Sequence, residues 1–442
     1  MLNVREFGAT GVAQQLCTTL IQQAIDQAAA MGGGTIVFPA GTYLTGTIYL
    51  KNNITLHLEN GATLLGSPNP MDYNKDDFCP QNRVFAQERV SGAHLIVAVE
   101  VDHVGISGNG RIDGNRQAFS DQTSKEHPHI FAYPDWRPAQ MLYFCECRNV
   151  SIENVQLYHA PYWTCLLHGC QDVNVSGVQI WNDQRTWNGD GLDIDCCNRV
   201  TVTNCNIDSG DDCITLRANA APLKNSQRSC QHVCISNCIL RTRCNAFRIG
   251  VGNGIVRDCV ISNCIIRDTR TGICIIAKYS KASAGVTIEN IQFDNLYIEA
   301  IRPLFIASDV HGSQPEPAKL IRNISFQHLR GRGSRSCLIT GNPDRMIHDL
   351  TFSDLCFQYS GGADIVPPEK TVQSYGEFGS KAAPAAFYIS NAEEVEFNRV
   401  QISWSELDGP WQAALMTENV SGLQMHHCRF AAPPNGVQHD SR

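Results

Sequence analysis

From residue 103 onward one phrase, roughly Asn-Val-x-Ile-x-Asn-x-x-Ile, recurs in ten copies, following one another mostly at intervals of about 20 to 35 residues. The copies read HVGISGNGRI, RNVSIENVQL, QDVNVSGVQI, NRVTVTNCNI, QHVCISNCIL, RDCVISNCII, AGVTIENIQF, RNISFQHLRG, HDLTFSDLCF and EEVEFNRVQI. Within each, apolar and polar residues alternate as they do along a half-buried strand, and asparagine or glycine marks the break. Such a unit cannot bury its apolar face alone, so successive copies must stack. Helical solenoids need a 3.6-residue period and leucine-rich ones need their own leucine spacing, and neither is present. The pattern therefore predicts an all-β solenoid, a right-handed parallel β-helix, forming a single domain over residues 1–442.

The first 35 residues differ from the rest. In QLCTTLIQQAIDQAAAM, residues 15–31, Leu20, Ile21, Ala24, Ile25 and Ala28 fall at helical spacing, and Gly32, Gly33 and Gly34 stop the helix. An amphipathic helix here would cap the open end of the solenoid, which otherwise presents unpaired strand edges. Coils are expected over about 36–430, interrupted at 115–138 and 360–386 by stretches rich in Pro, Gly and aromatics. Both are placed on loops near one face, where solenoids keep binding sites.

Composition narrows the function classes. A net charge of −8 and the lack of a basic stripe argue against a nucleic-acid partner. No apolar run is long enough to span a membrane, and the start has neither the basic nor the apolar region of a signal peptide, so a cytoplasmic location is expected. Eleven of the 20 cysteines lie between Cys196 and Cys274, mostly inside short apolar runs, where they are read as reduced thiols packed like small hydrophobes. The pairs Cys234/Cys238 and Cys259/Cys264 sit within strands rather than at knuckle turns, which speaks against zinc.

Acids gather on two neighbouring turns, Trp187-Asn-Gly-Asp-Gly-Leu-Asp-Ile-Asp195 and Asp208-Ser-Gly-Asp-Asp-Cys213. Asp190 and Asp211 are 21 residues apart, one short coil, so stacking should bring their carboxylates together. An isolated Gly-Asp-Asp is ordinarily a turn whose carboxylates cap backbone groups. Two such turns on adjacent rungs bring like charges together, which is costly in a structural role because one acid must stay protonated or find a cation. Glycosidic cleavage uses one, with a carboxylic acid protonating the leaving oxygen and carboxylates activating water or attacking carbon. Asn188 and Asp193 in the same segment are candidate substrate contacts.

Strand parity places Arg217, Arg248 and Lys278 on the outward face of later rungs, lined up below the acids. There they would bind an anionic sugar carboxylate or a hydroxyl-rich ring, or merely neutralise the acids. Trp181, Trp187 and Tyr279 are candidate stacking platforms for sugar rings, or fillers of core and loops.

The segments NVREFGATG, GGGTIVFPAGTYLTGTIYLKNNITLHLENGATLLGS and RPAQMLYFCECRNVSIENVQLYHAPYWT resemble the phrasing of the polygalacturonase family, glycoside hydrolase family 28, over about Asn3 to Phe430. Its Asn-Thr-Asp-Gly motif is matched by Asn188-Gly189-Asp190-Gly191, and its Gly-Asp-Asp motif by Gly210-Asp211-Asp212. The resemblance implies an inverting hydrolase of pectin-like oligosaccharides, with Asp211 as proton donor, Asp190 and Asp212 activating water, and no metal or organic cofactor. Two departures concern the substrate. The family's active-site histidine is matched by Asn245, and its Arg-Ile-Lys signature by Cys274-Ile275-Ile276, leaving Arg248 and Lys278 as geometric replacements or the substrate as another sugar. A lyase or epimerase on the same fold, and a non-catalytic carbohydrate-binding β-helix, are the competing function classes.

Overall fold

The computed structural model describes residues 1–85, 88–279, 284–310, 319–361, 383–405 and 411–434. Its strands pair in parallel with counterparts one coil away, as in the right-handed β-helix expected. They fall into two compact units: residues 1–214 with 220–228, and residues 215–219 with 229–442. No helix among the described residues is long and apolar enough to cross a membrane.

In the first unit each regular coil has three strands, as in Leu142–Cys145, Arg148–Glu153 and Gln156–Tyr158. The repeat phrase forms the middle strand. Its apolar residues stack in register as Val104, Val150, Val173 and Val200, and as Ile106, Ile152, Val175 and Val202, all buried. Branched side chains suit this column because each fills the pleat between its neighbours above and below. The chain bends sharply at the second residue of the middle strand and just past its end: His103, Asn149, Asp172 and Arg199 at the first place, and Asn154 and Asn204 at the second, take left-handed backbone with φ of 52–60°. Asparagine and aspartate tolerate that region better than other non-glycine residues, which explains their regular return in the sequence.

The helix runs over Thr18–Ala30 and buries Ile21, Ala24, Ile25 and Ala28 against the first coils. It begins three residues later than its apolar spacing suggests. Leu16 bridges Leu44, and the Cys17 N–H donates to the Leu44 carbonyl at 2.7 Å, so the sheet claims these residues first. Past its end, a Cβ on Gly33 would lie 2.3 Å from Asn53 Cβ, so glycine is demanded at this position by close approach as well as by its φ of 127°. The 115–138 insertion is irregular apart from one short turn of 3-10 helix at Arg116–Ala118. Most of the second predicted insertion, 362–382, lies outside the described residues.

The second unit stacks aromatics in its interior. Phe293, Phe326, Phe352 and Phe397 follow one another in register, with Phe293–Phe326 and Phe326–Phe352 centroids each 5.2 Å apart and rings nearly parallel. Outside, turn asparagines bond along the stack, Asn295 Nδ2 to Asn263 Oδ1 at 2.7 Å and Asn323 Nδ2 to Asn290 Oδ1 at 2.8 Å. All 20 cysteines are free, and 15 are buried. Burial holds Cys259 and Cys337 up at about 12, which keeps such thiols protonated and inert. Phe326→Ala should cost about 3–5 kcal/mol and Phe326→Leu less than about 1.5, read as shifts of the urea midpoint at unchanged slope.

Candidate active site

The acid cluster belongs to the first unit and is built from three stacked turns. Pro161–Thr164, Trp187–Gly191 and Gly210–Cys213 each follow the third strand of a coil. They are bonded one to the next: Thr164 N–H to Asp190 O at 2.8 Å, Gly191 N–H to Asp212 O at 2.8 Å, and Gly210 N–H to Gly189 O at 3.0 Å. Asp190, flanked by Gly189 and Gly191, is therefore laid against Asp211, flanked by Gly210 and Asp212. The glycines permit this closeness. A Cβ on Gly191 would sit 2.5 Å from Cys213 O, and one on Gly210 2.7 Å from Thr186 O.

Asp190 is buried at 5% exposure, whereas Asp211 and Asp212 are partly exposed. The cluster thus has one sheltered carboxylate and two that solvent or a ligand can reach. The carbonyl of Asp190 accepts a second bond, from Thr164 Oγ1 at 2.8 Å. Thr164 Oγ1 in turn accepts from Asn182 Nδ2 at 2.7 Å, while Asn182 Oδ1 takes the Ala160 N–H at 2.9 Å. Ser209 Oγ closes the other turn by donating to Asp211 O at 2.7 Å. Side chains beneath the acids therefore fix the backbone of their turns.

The 115–138 insertion forms a wall beside them. Tyr133 stacks on Trp187 at 4.7 Å with an interplanar angle of 16°, and His127 meets the same indole edge-on at 6.0 Å. Burial raises the Tyr133 phenol; Arg137 opposes the shift, while the charges of Glu88 and Asp211 add to it. That coupling places the ring in the field of the acid turn. Arg137, buried at 2% exposure, crosses the wall to the turn itself. Its Nη1 donates to Pro161 O at 3.0 Å and Trp187 O at 2.7 Å, and its Nη2 to Glu88 O at 3.0 Å and Asn188 Oδ1 at 3.1 Å. Burial lowers its guanidinium, opposed by Tyr162, Tyr133, Glu88 and Asp190.

Sequence reasoning missed Tyr133, Arg137, Thr164 and Asn182. An Arg-Pro pair at 137–138 inside an aromatic-rich insertion was the available signal for Arg137. Of the residues it did name, Trp187, Asn188, Asp190, Asp211 and Asp212 share these turns. Asp193 does not: it lies within the strand Leu192–Asp195, in register with Leu166, at 0% exposure. Its role as a sugar contact is corrected to that of a buried member of the sheet. Trp181 is 53% exposed but sits on the strand Gln179–Trp181, edge-on to Tyr158 at 5.5 Å, rather than on the acid turns.

The remaining named residues belong to the second unit. Arg217, Asn245, Arg248 and Lys278 are all buried, at 9%, 4%, 2% and 0% exposure. Arg248 lies 5.3 Å from the Tyr279 ring centroid and bonds Ile249 O through Nη1 at 2.6 Å, so these two candidates do meet. Arg248 and Lys278 do not line up as parity counting suggested. Arg248 is in register with Cys274, and Lys278, four residues further along, is in register with Asp309, whose carboxylate is 4.0 Å from its Nζ. Asn245 Nδ2 reaches Cys244 Sγ at 3.4 Å, and Arg270 Nη2, which the sequence did not single out, reaches the same sulfur at 2.9 Å.

The family profile described as "Glycosyl hydrolases family 28" matches residues 35–374. The chain belongs to glycosyl hydrolase family 28. Among its relatives, the exo-poly-alpha-D-galacturonosidase of Dickeya chrysanthemi is 26% identical over 410 residues, covering 80% of this chain and 66% of that protein. A probable polygalacturonase of Vitis vinifera is 28% identical over 220 residues, covering 48% and 43%. The chain thus spans 43–66% of the length of these two curated relatives. The solved family-28 exopolygalacturonase of Yersinia enterocolitica shares the fold at a TM-score of 0.74 and 21% identity, covering 95% of this chain and 78% of that one.

The Thr164 bridge gives the site a local test. Thr164→Val keeps the shape but leaves Asn182 and the Asp190 carbonyl each short of a partner, and should cost about 1–3 kcal/mol in urea unfolding.

Proposed function

We propose that the protein is an inverting glycosidase acting on galacturonan or related pectin-derived oligosaccharides. The observation that carries the chemistry is the hydrogen-bonded stacking of Asn188–Gly191 on Gly210–Asp212, which sets one buried and two accessible carboxylates side by side. The relatives' names, exo-poly-alpha-D-galacturonosidase and polygalacturonase, supply the substrate class.

Asp211, in its protonated form, gives its proton to the glycosidic oxygen as the bond from the anomeric carbon to that oxygen breaks. Asp190 and Asp212 hold a water on the opposite side of the sugar and take its proton as its oxygen bonds to the anomeric carbon. The released sugar then carries the inverted configuration. The Trp187–Tyr133 wall offers apolar surface against which a sugar ring packs.

Product analysis on a panel of pectic and neutral oligosaccharides, with anomers followed by NMR, tests the reading. The wild type should release a sugar of inverted configuration, and Asp211→Asn should lower kcat by about 10²–10⁴-fold. An unsaturated product would replace hydrolysis with elimination, and a retained anomer would replace the inverting assignment.

A further inference from the structure

Arg137 makes four hydrogen bonds from the 115–138 insertion, two of them to the acid turn. Three go to backbone carbonyls and tie together residues 88, 161 and 187. The fourth goes to a side chain, Asn188 Oδ1, two residues before Asp190. That bond has a consequence for the chemistry Asn188 can do. A carboxamide has an acceptor end and a donor end, and a guanidinium has donors alone. Were the Asn188 amide turned over, its NH₂ would face the Arg137 NH₂, donor against donor. The buried guanidinium thus holds Oδ1 inward and turns both N–H donors away from itself. Asn188 stands on a left-handed turn with φ 51°, partly exposed, so those donors emerge on the same turn as Asp190.

We propose that Arg137 is a positioning residue that fixes the Asn188 amide so that its N–H donors, and not its oxygen, meet the bound sugar. This deepens the glycosidase reading and rests on it. Donors alone select for an acceptor on the substrate, a hydroxyl oxygen or, more strongly, a carboxylate. Arg137 itself touches no sugar. Lysine cannot replace it, because an ammonium has three donors on one atom and cannot span four acceptors in a plane.

The test is a double-mutant cycle on trigalacturonate, or on the neutral trisaccharide that the panel selects, with Arg137→Lys, Asn188→Ala and the pair together. Acting through Asn188, Arg137→Lys should lower kcat/KM about 100-fold in the native background, since small misplacements at a reacting centre carry losses of that size. In the Asn188→Ala background the same change should cost less than about 3-fold, because the group it positions is gone. Equal losses in both backgrounds would show that Arg137 only holds loops together, and would overturn the proposal. Asn188→Asp gives a second reading with Arg137 intact. It keeps the acceptor for Arg137 but has no donors, so it should lose as much kcat/KM as Asn188→Ala; full activity would refute the donor role. A wild type inert on every sugar of the panel removes the glycosidase reading and this proposal with it. Activity with additive losses removes the Arg137 role alone.

Discussion

Within each unit, everything depends on the parallel register between coils. Backbone N–H and C=O groups of one coil are satisfied by the next, at a spacing of about 4.8 Å, so a residue's neighbours are set by counting one coil along the chain. The column Val104, Val150, Val173, Val200 and the phenylalanine column from Phe293 to Phe397 are the apolar result of that rule. Turn residues obey it too, which is why asparagines bond to asparagines on the outside of the second unit.

The same register makes the acid cluster possible and makes it costly. Stacking the turn of Asp190 directly on that of Asp211 leaves no room for side chains at Gly191 or Gly210 and sets their acids on neighbouring coils. Like charges held this way oppose folding, and the first unit answers with a dense frame around them. Thr164 and Asn182 hold the Asp190 carbonyl from within the coil, while Arg137 brings positive charge from the 115–138 insertion. Reacting groups fixed by backbone ladders need little reorganisation when substrate arrives, which is what general acid–base chemistry rewards.

In the second unit the basic residues are arranged with partners close by. Lys278 lies near Asp309, and Arg248 lies over Tyr279 and bonds a main-chain carbonyl. The strand Ile265–Lys278 shifts its pairing between Ile266 and Thr269, so coils there differ in length from their neighbours. Between Arg248 and that strand, however, the pairing keeps a constant 26-residue offset, and Lys278 lies 30 residues past Arg248; parity gives the face a side chain takes, not its place along the strand.

The sequence by itself determined the strands, their stacking and the capping helix, because those follow from local period and from turn residues that few amino acids can replace. All ten copies of the repeat phrase fall on strands, and the Asn-Gly-Asp-Gly and Gly-Asp-Asp turns lie on adjacent coils as their 21-residue spacing required. Only the tertiary structure decided which side chains surround those turns. Asp193 follows Asp190 by three residues yet is fully buried within a strand, whereas Arg137, about 50 residues earlier in an irregular insertion, bonds the acid turn directly. A period predicts where a repeated position goes. It says nothing of a loop, whose path is set by the carbonyls and rings it finds when the coils have closed.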